Sequence, residues 1–177
     1  NFGYVASGDK LIIVDFSNPS RQKIVGELAM AGAYSIAVKD SYVFVNYWQN
    51  SKQYLGAINI SNSQAPVLEG SAEIPINLAS NFLISENRLY VAQADAGLTV
   101  VDISTLSQPI KITTVVTPLP IQTVSISGNT AVVSSEGYGI YIIDLASLAV
   151  VGSYNYLSYT NLKVKDVLLN GNLAYVL

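Results

Sequence analysis

The sequence predicts an all-β chain, a β-propeller of four-stranded antiparallel blades with about four blade-equivalents, forming part of a larger propeller. Three observations carry this prediction: an internal repeat, β-rich runs divided by turn residues, and the lack of any helical stripe. The repeat appears when Leu11–Ser17, Leu55–Ser61, Leu98–Ser104 and Ile140–Ala146 are aligned on Asp15, Asn59, Asp102 and Asp144, which are spaced 44, 43 and 42 residues apart. A second landmark recurs at nearly the same period, a short strand that turns through Gly or Asn into another. It spans Ile36–Val45, Phe82–Val91, Val124–Val133 and Val167–Val176. A period of roughly 40–45 residues fits one propeller blade.

Taken in order, each unit reads as four strands. The runs are five to seven residues long, rich in Val, Ile and Tyr, and bounded by turns such as Ser17-Asn18-Pro19-Ser20, Glu136-Gly137-Tyr138-Gly139 and Asn170-Gly171-Asn172. No segment repeats apolar residues at i, i+3, i+4 and i+7 over three turns, so no helix is predicted. With A the innermost strand and D the outermost, A falls at about 35–38, 80–84, 122–126 and 164–169, followed by B. The segments aligned on the acid or amide are C, and Ile24–Leu28 with its counterparts is D. The chain then reads B-C-D, three complete blades, and a final A-B, which makes seventeen strands. The blade parts are 1–30, 31–75, 76–118, 119–157 and 158–177. Both ends fall within a blade, and the expectation is a fragment of a longer propeller. Pro75, Pro118 and Pro120 lie in the D–A crossovers, where a fixed φ stiffens the link without removing a ladder bond.

Composition closes several chemistries. The 177 residues include no cysteine and no histidine. Ser-His-Asp and Cys-His nucleophiles, the usual zinc and haem ligations and disulfides are therefore excluded. The net charge of −3 gives no electrostatic reason to bind nucleic acid or an anionic membrane. Half the residues are hydrophobic, yet the most apolar stretches, such as Leu11–Phe16, are of strand length, and a spanning helix needs about 20 residues. Asn1 is not an initiator methionine and no signal peptide is legible, so the expectation is a processed chain or a piece of a longer one.

Three groups of residues are candidates for chemistry. Asp15, Asn59, Asp102 and Asp144 sit at strand ends, where a side-chain oxygen can accept a backbone N–H and close an Asx-type turn. The role tolerates Asn, whereas acid–base chemistry does not. Asp9, Asp95 and Glu136 occupy B–C loops where three carboxylates could hold Ca²⁺, but the spacing matches no calcium loop and solvated turn residues are the better reading, so no metal is expected. Asn46–Tyr54 reads as the longest B–C loop, and it holds the only tryptophan. Tyr47, Trp48, Gln49 and Asn50, with Tyr138 in another B–C loop and Tyr159 and Asn161 in a D–A loop, are predicted to share one face. Aromatics among amides suit sugar rings and protein hot spots. The competing reading is that Trp48 folds over its own blade. The sequon at Asn59-Ile60-Ser61 coincides with the repeat's turn, where a glycan would conflict with the turn.

Leu11–Ser20 (LIIVDFSNPS) and Leu98–Thr105 (LTVVDIST) resemble the LVIVD repeat. Val25-Gly26 and Val151–Tyr154 match its next strand, and Val124–Asn129 matches the strand after that. The resemblance extends along the whole chain and implies a surface propeller of bacteria or archaea. Its motif is architectural and transfers no catalytic residue. Two units depart from it: Asn59, Gly56 and Ala57 in the second, and the fourth, which has neither Ser after Asp144-Leu145 nor an Asn-Pro. Those turns are expected to close differently.

The expectation is thus a non-catalytic extracellular module without a cofactor, binding protein or carbohydrate through its loops or serving as a scaffold of a surface protein, fibre or adhesin. Self-assembly and further domains are possible partners. The alternative is a propeller glycosidase completed by residues outside this segment. Asp166 is the one mid-strand acid available to it, and Arg21 and Arg88 are too few for a sialidase-like cluster.

Overall fold

The computed structural model of the chain describes residues 1–74, 79–94, 96–135, 139–155 and 164–177. Seventeen strands and no helix occur among these residues. β1 (Phe2–Ala6), β2 (Gly8–Asp15) and β3 (Lys23–Ala33) form a three-stranded sheet. β4 (Ile36–Lys39), β5 (Tyr42–Gln49), β6 (Lys52–Asn59) and β7 (Val67–Glu73) form the next. β8 (Ala79–Ser85), β9 (Arg88–Gln93), β10 (Gly97–Asp102) and β11 (Ile110–Val115) follow, then β12 (Thr123–Ser127), β13 (Thr130–Ser135), β14 (Gly139–Asp144) and β15 (Ala149–Asn155). β16 (Val167–Asn170) and β17 (Leu173–Val176) pair last. Within each sheet the strands lie in chain order, the antiparallel meander that the turn chemistry implies.

The chain divides into two compact units, Asn1–Ile76 with Asp102–Ile110, and Asn77–Val101 with Lys111–Leu177. In the first, Leu11, Ile13 and Met30 pack against Val43, Val45, Ile58 and Ile60, so the core lies between the faces of two successive sheets. In the second, Leu98, Val100 and Tyr90 pack against Val124, Val133, Tyr141 and Ile143 in the same way. A further cluster joins Val132 and Ile140 to Val164 and Val167. β13 packs on both faces, Ala131 and Val133 in one cluster and Val132 in the other, and it is buried along almost its whole length, as are β9 and β10, while the outer β7 and β15 are mostly exposed. Continuous apolar runs of strand length follow from that double burial and need no membrane. No helix among the described residues is long and apolar enough to cross one.

The C–D pairing carries a recurring irregularity. Its register shifts between Ile13 and Val14, between Ala57 and Ile58, and between Ile142 and Ile143. Each shift leaves one extra residue on the D strand (Val25, Glu69 or Val151), and a glycine follows each time. This is a β-bulge held at one place in three sheets. At the first two glycines the following sheet's turn comes in close. A Cβ on Gly26 would lie 2.0 Å from the carbonyl oxygen of Ser63, and one on Gly70 only 1.8 Å from that of Ser107. The turn containing Ser107 accordingly clusters with the first unit.

Candidate functional site

The segment Asn46–Tyr54 is a continuation of the β5–β6 hairpin, which corrects its reading as a long loop. Tyr47 pairs with Tyr54, Trp48 with Gln53 and Gln49 with Lys52, and only Asn50 and Ser51 turn, with φ of 51° and 62°. Two successive left-handed residues match the strand twist of a type I′ turn, and Asn tolerates that conformation well. The sequence is rich in amides there because the hairpin tip is solvated.

Tyr47 is corrected as well: it lies in a strand, is 5% exposed and belongs to the core. Its ring meets that of Tyr54 at a centroid distance of 5.7 Å. A Cβ on Gly56 would sit 3.1 Å from Tyr47 Cε1 and 3.3 Å from Met30 Cε. The small residue that departs from the repeat is therefore what makes room for Tyr47. The Tyr47 hydroxyl is buried and makes no hydrogen bond in the structure.

Trp48, by contrast, remains 42% exposed. Its indole covers the backbone of Gly32, where a Cβ would fall 2.2 Å from Trp48 Cδ1 and where φ is 68°. Glycine is required there on both counts. Tyr34, two residues further along this link, is 70% exposed, with its ring edge 3.8 Å from where a Cβ on Gly8 would lie. The link is held by Asn46, 3% exposed, whose Oδ1 accepts the backbone N–H groups of Ser35 at 2.7 Å and Tyr34 at 3.2 Å. A buried amide thus fixes the D–A link and with it the exposed tyrosine. Gln49 and Asn50 are exposed at the tip, flanked by an ion pair of Lys52 with Glu73 at 2.9 Å. Trp48 is thus a half-solvated aromatic packed on backbone and edged by amides and one ion pair.

Sequence reasoning missed Tyr34 and Asn46. The signal for Tyr34 was its place in a D–A link, the same logic that selected Tyr159. Asn46 was legible only as one amide in a run, whereas its function depends on a partner eleven residues upstream. Ser134 has a comparable role in the second unit, accepting the Thr123 N–H at 3.2 Å while fully buried. Tyr138, Tyr159, Asn161, Asp95 and Glu136 lie outside the described residues. Asp9 is exposed near the start of β2 and accepts from Ser7 at 3.2 Å. No three acidic groups gather among the described residues.

The four aligned acids and amides lie at the opposite ends of their strands from the hairpin tip and all accept backbone N–H groups. Asp15 Oδ1 takes Ser17 N at 2.8 Å, Asn59 Oδ1 takes Ser61 N at 2.9 Å, and Asp102 Oδ1 takes Ser104 N at 2.8 Å. Asp144 instead reaches Ser147, taking its N–H at 2.7 Å and its hydroxyl at 2.6 Å. The fourth turn is the short one, with Leu148 at φ 52°. Hydrogen bonds from Ser17 and Ser147 hold the Asp15 and Asp144 carboxyls below their ordinary range. Glu69 is lowered too, by the Tyr42 hydroxyl and then by Asn59 Nδ2 at 2.8 Å. Both polar ends of Asn59 are therefore engaged, the oxygen in the turn and the amide nitrogen with Glu69. Asp166 precedes β16 instead of lying within a strand, and its Oδ1 accepts Val167 N at 2.8 Å. Arg21 is exposed in a turn, and Arg88 donates to the Leu145 carbonyl at 3.2 Å.

Comparison with known proteins agrees with this architecture. The LVIVD repeat matches three times, over residues 1–29, 32–73 and 78–117. The fourth unit lies beyond the matched region, yet its sheet keeps the strand order and the bulge and differs in the shorter turn. No curated protein matches the sequence. Among solved structures, the computationally designed Ika8 protein aligns with a TM-score of 0.76 at 12% identity, over 99% of this chain and 52% of that one. The chain thus spans about half the length of that structural neighbour. In all, 458 solved chains match, so the architecture is widely used and says nothing by itself about a ligand. With three repeats matched in a β-propeller repeat family and the sheets built as described, the chain belongs to the LVIVD repeat family.

Proposed function

We propose that this segment is a non-catalytic, extracellular binding module of a prokaryotic surface protein, fibre or adhesin. It takes a protein or a carbohydrate at the tip of the β5–β6 hairpin. The observation that carries the reading is the half-exposed Trp48 indole, set over Gly32, with Tyr34 exposed two residues further along the same link. Exposing a large apolar ring costs about 1.5–3 kcal/mol relative to burying it. A tryptophan whose underside is fixed and whose upper face is wet is suited to stacking on a sugar ring or seating in a partner's pocket. The repeated turn acceptors support the scaffold half of the proposal, because their side-chain oxygens are committed to backbone N–H groups.

The test is a glycan array and a peptide array probed with the parent chain and with Trp48→Ala. The expected result is a hit that the substitution abolishes while the melting temperature changes little. A hit that Trp48→Ala leaves intact, or a large loss of stability on that substitution, would refute the site.

A further inference from the structure

Two side chains on one face of β9 exceed what the repeat requires. The second landmark aligns Arg88 with Tyr42, Thr130 and Leu173, so the architecture needs no cation at this position. It aligns Tyr90 with Phe44, which is fully buried and has no hydroxyl, so packing does not call for the Tyr90 hydroxyl either. Residues 88 and 90 lie two apart in a strand and therefore project to the same side. Both line a cavity of about 400 Å³, whose other walls include Ser85, Glu86, Asn129 and Leu145. All of these residues lie in the second unit, on the β8–β11 and β12–β15 sheets, each of which has its four strands.

Neither group is satisfied by the protein. Arg88 is half-buried and gives one N–H to the Leu145 carbonyl at 3.2 Å. That bond fixes one arm of a fork that carries five N–H donors. Arg88 has no ion-pair partner among the described residues. Asp144 does not supply one, because its oxygens take Asn129 Nδ2 at 2.7 Å and the N–H and hydroxyl of Ser147. Tyr90 is 3% exposed, and it too makes no hydrogen bond among the described residues. Its exposed remainder opens on the cavity. A half-buried guanidinium without a counter-charge is costly, and a phenol so nearly buried has little water to bond.

We infer that this cavity binds a small organic carboxylate. The carboxylate takes remaining guanidinium N–H groups of Arg88 together with the Tyr90 hydroxyl, and a planar acceptor is what the guanidinium fork matches. Ser85, Asn129 and Glu86 present a hydroxyl, an amide and a carboxylate to hydroxyl or ammonium groups on the rest of the ligand. The volume falls within the range of small-molecule sites. None of these residues belongs to the hairpin around Trp48, and the test does not depend on that site.

The experiment titrates the full, ¹⁵N-labelled chain with sodium galacturonate, L-serine, galactose and sodium sulfate, and follows amide shifts by nuclear magnetic resonance. The expected result is saturable shifts at Gly128 and Asn129 with galacturonate or L-serine, and none with galactose. Galacturonate carries its carboxylate on a polyol and serine on an amine, so the tighter binder identifies the other half of the ligand. Arg88→Gln should weaken that binding by about tenfold or more, the worth of a charged hydrogen bond. Tyr90→Phe should weaken it about threefold to tenfold at an unchanged melting temperature, since a phenyl ring already packs at the equivalent Phe44. Three results would each overturn the inference: no saturable shift with either carboxylate, parental affinity in both variants, or sulfate binding as tightly as the carboxylates.

Discussion

Replacing Gly70 with alanine tests the inter-sheet packing at its tightest point. The new Cβ would lie 1.8 Å from the Ser107 oxygen and 2.9 Å from its carbonyl carbon. A carbon–oxygen contact needs about 3.3 Å, so the turn must retreat by about 1.5 Å or β7 must bend away. The obstacle is backbone, held by Ser104 N on Asp102 and by Gln108 N on the Thr105 carbonyl at 2.8 Å. Overpacking of this kind costs about 1–3 kcal/mol, and a backbone obstacle places it at the upper end. Against this, alanine in a strand interior recovers about 0.5–1 kcal/mol relative to glycine. The net loss is about 2 kcal/mol, or roughly 4–8 °C of melting temperature for a chain of this size. Thermal unfolding followed by far-ultraviolet circular dichroism reads the shift. Gly26→Ala, facing the Ser63 oxygen at 2.0 Å, should behave alike. If both variants melt with or above the parent, close approach of the turns is not what keeps these positions glycine.

Other consequences follow from single groups. Tyr47→Phe removes a buried hydroxyl that makes no hydrogen bond in the structure, so it should raise stability by about 1 kcal/mol in denaturant titration. A loss of stability instead would show that the hydroxyl is satisfied in the folded chain. Asp15, Asp144 and Glu69 all titrate below their ordinary range, so the folded state binds fewer protons than the unfolded one as the pH falls. Their contribution is intact above the ordinary carboxylate range and is lost as the pH drops through the lowered values. Melting temperature should therefore stay flat from pH 7 to about pH 5 and fall below about pH 4. Glu69→Gln should remove part of that fall, and an unchanged acid limb in this variant would exclude the hydrogen bonds from Tyr42 and Asn59 to Glu69 as a cause.

What the sequence made legible was local. The strands could be counted because most begin or end at Gly, Asn, Asp or Ser in a turn that those residues themselves favour. The aligned Asp and Asn residues declared their turns for the same reason, since acceptor and donor lie only two or three residues apart. What escaped was long-range. The β5–β6 extension reads as a loop because Asn50 and Ser51 make their turn at the end of a polar, solvated strand pair. Burial of Tyr47 depends on Gly56 and Met30, and the glycine at position 70 depends on a turn 37 residues further on. Asn46 and Tyr34 belong to one arrangement whose two halves are separated by β4. Such features are fixed by which sheets pack together, and no single repeat reveals them.

The account holds that the repeat's signature residues maintain architecture while recognition resides at the hairpin. The most direct measurement compares Asp15→Asn and Asp15→Ala for melting temperature and for binding of whatever ligand Trp48→Ala abolishes. The account predicts that asparagine, which serves as the acceptor at position 59, preserves stability, that alanine lowers it, and that both bind as the parent does. Equal destabilisation by both, or loss of binding in either at an unchanged melting temperature, would contradict it.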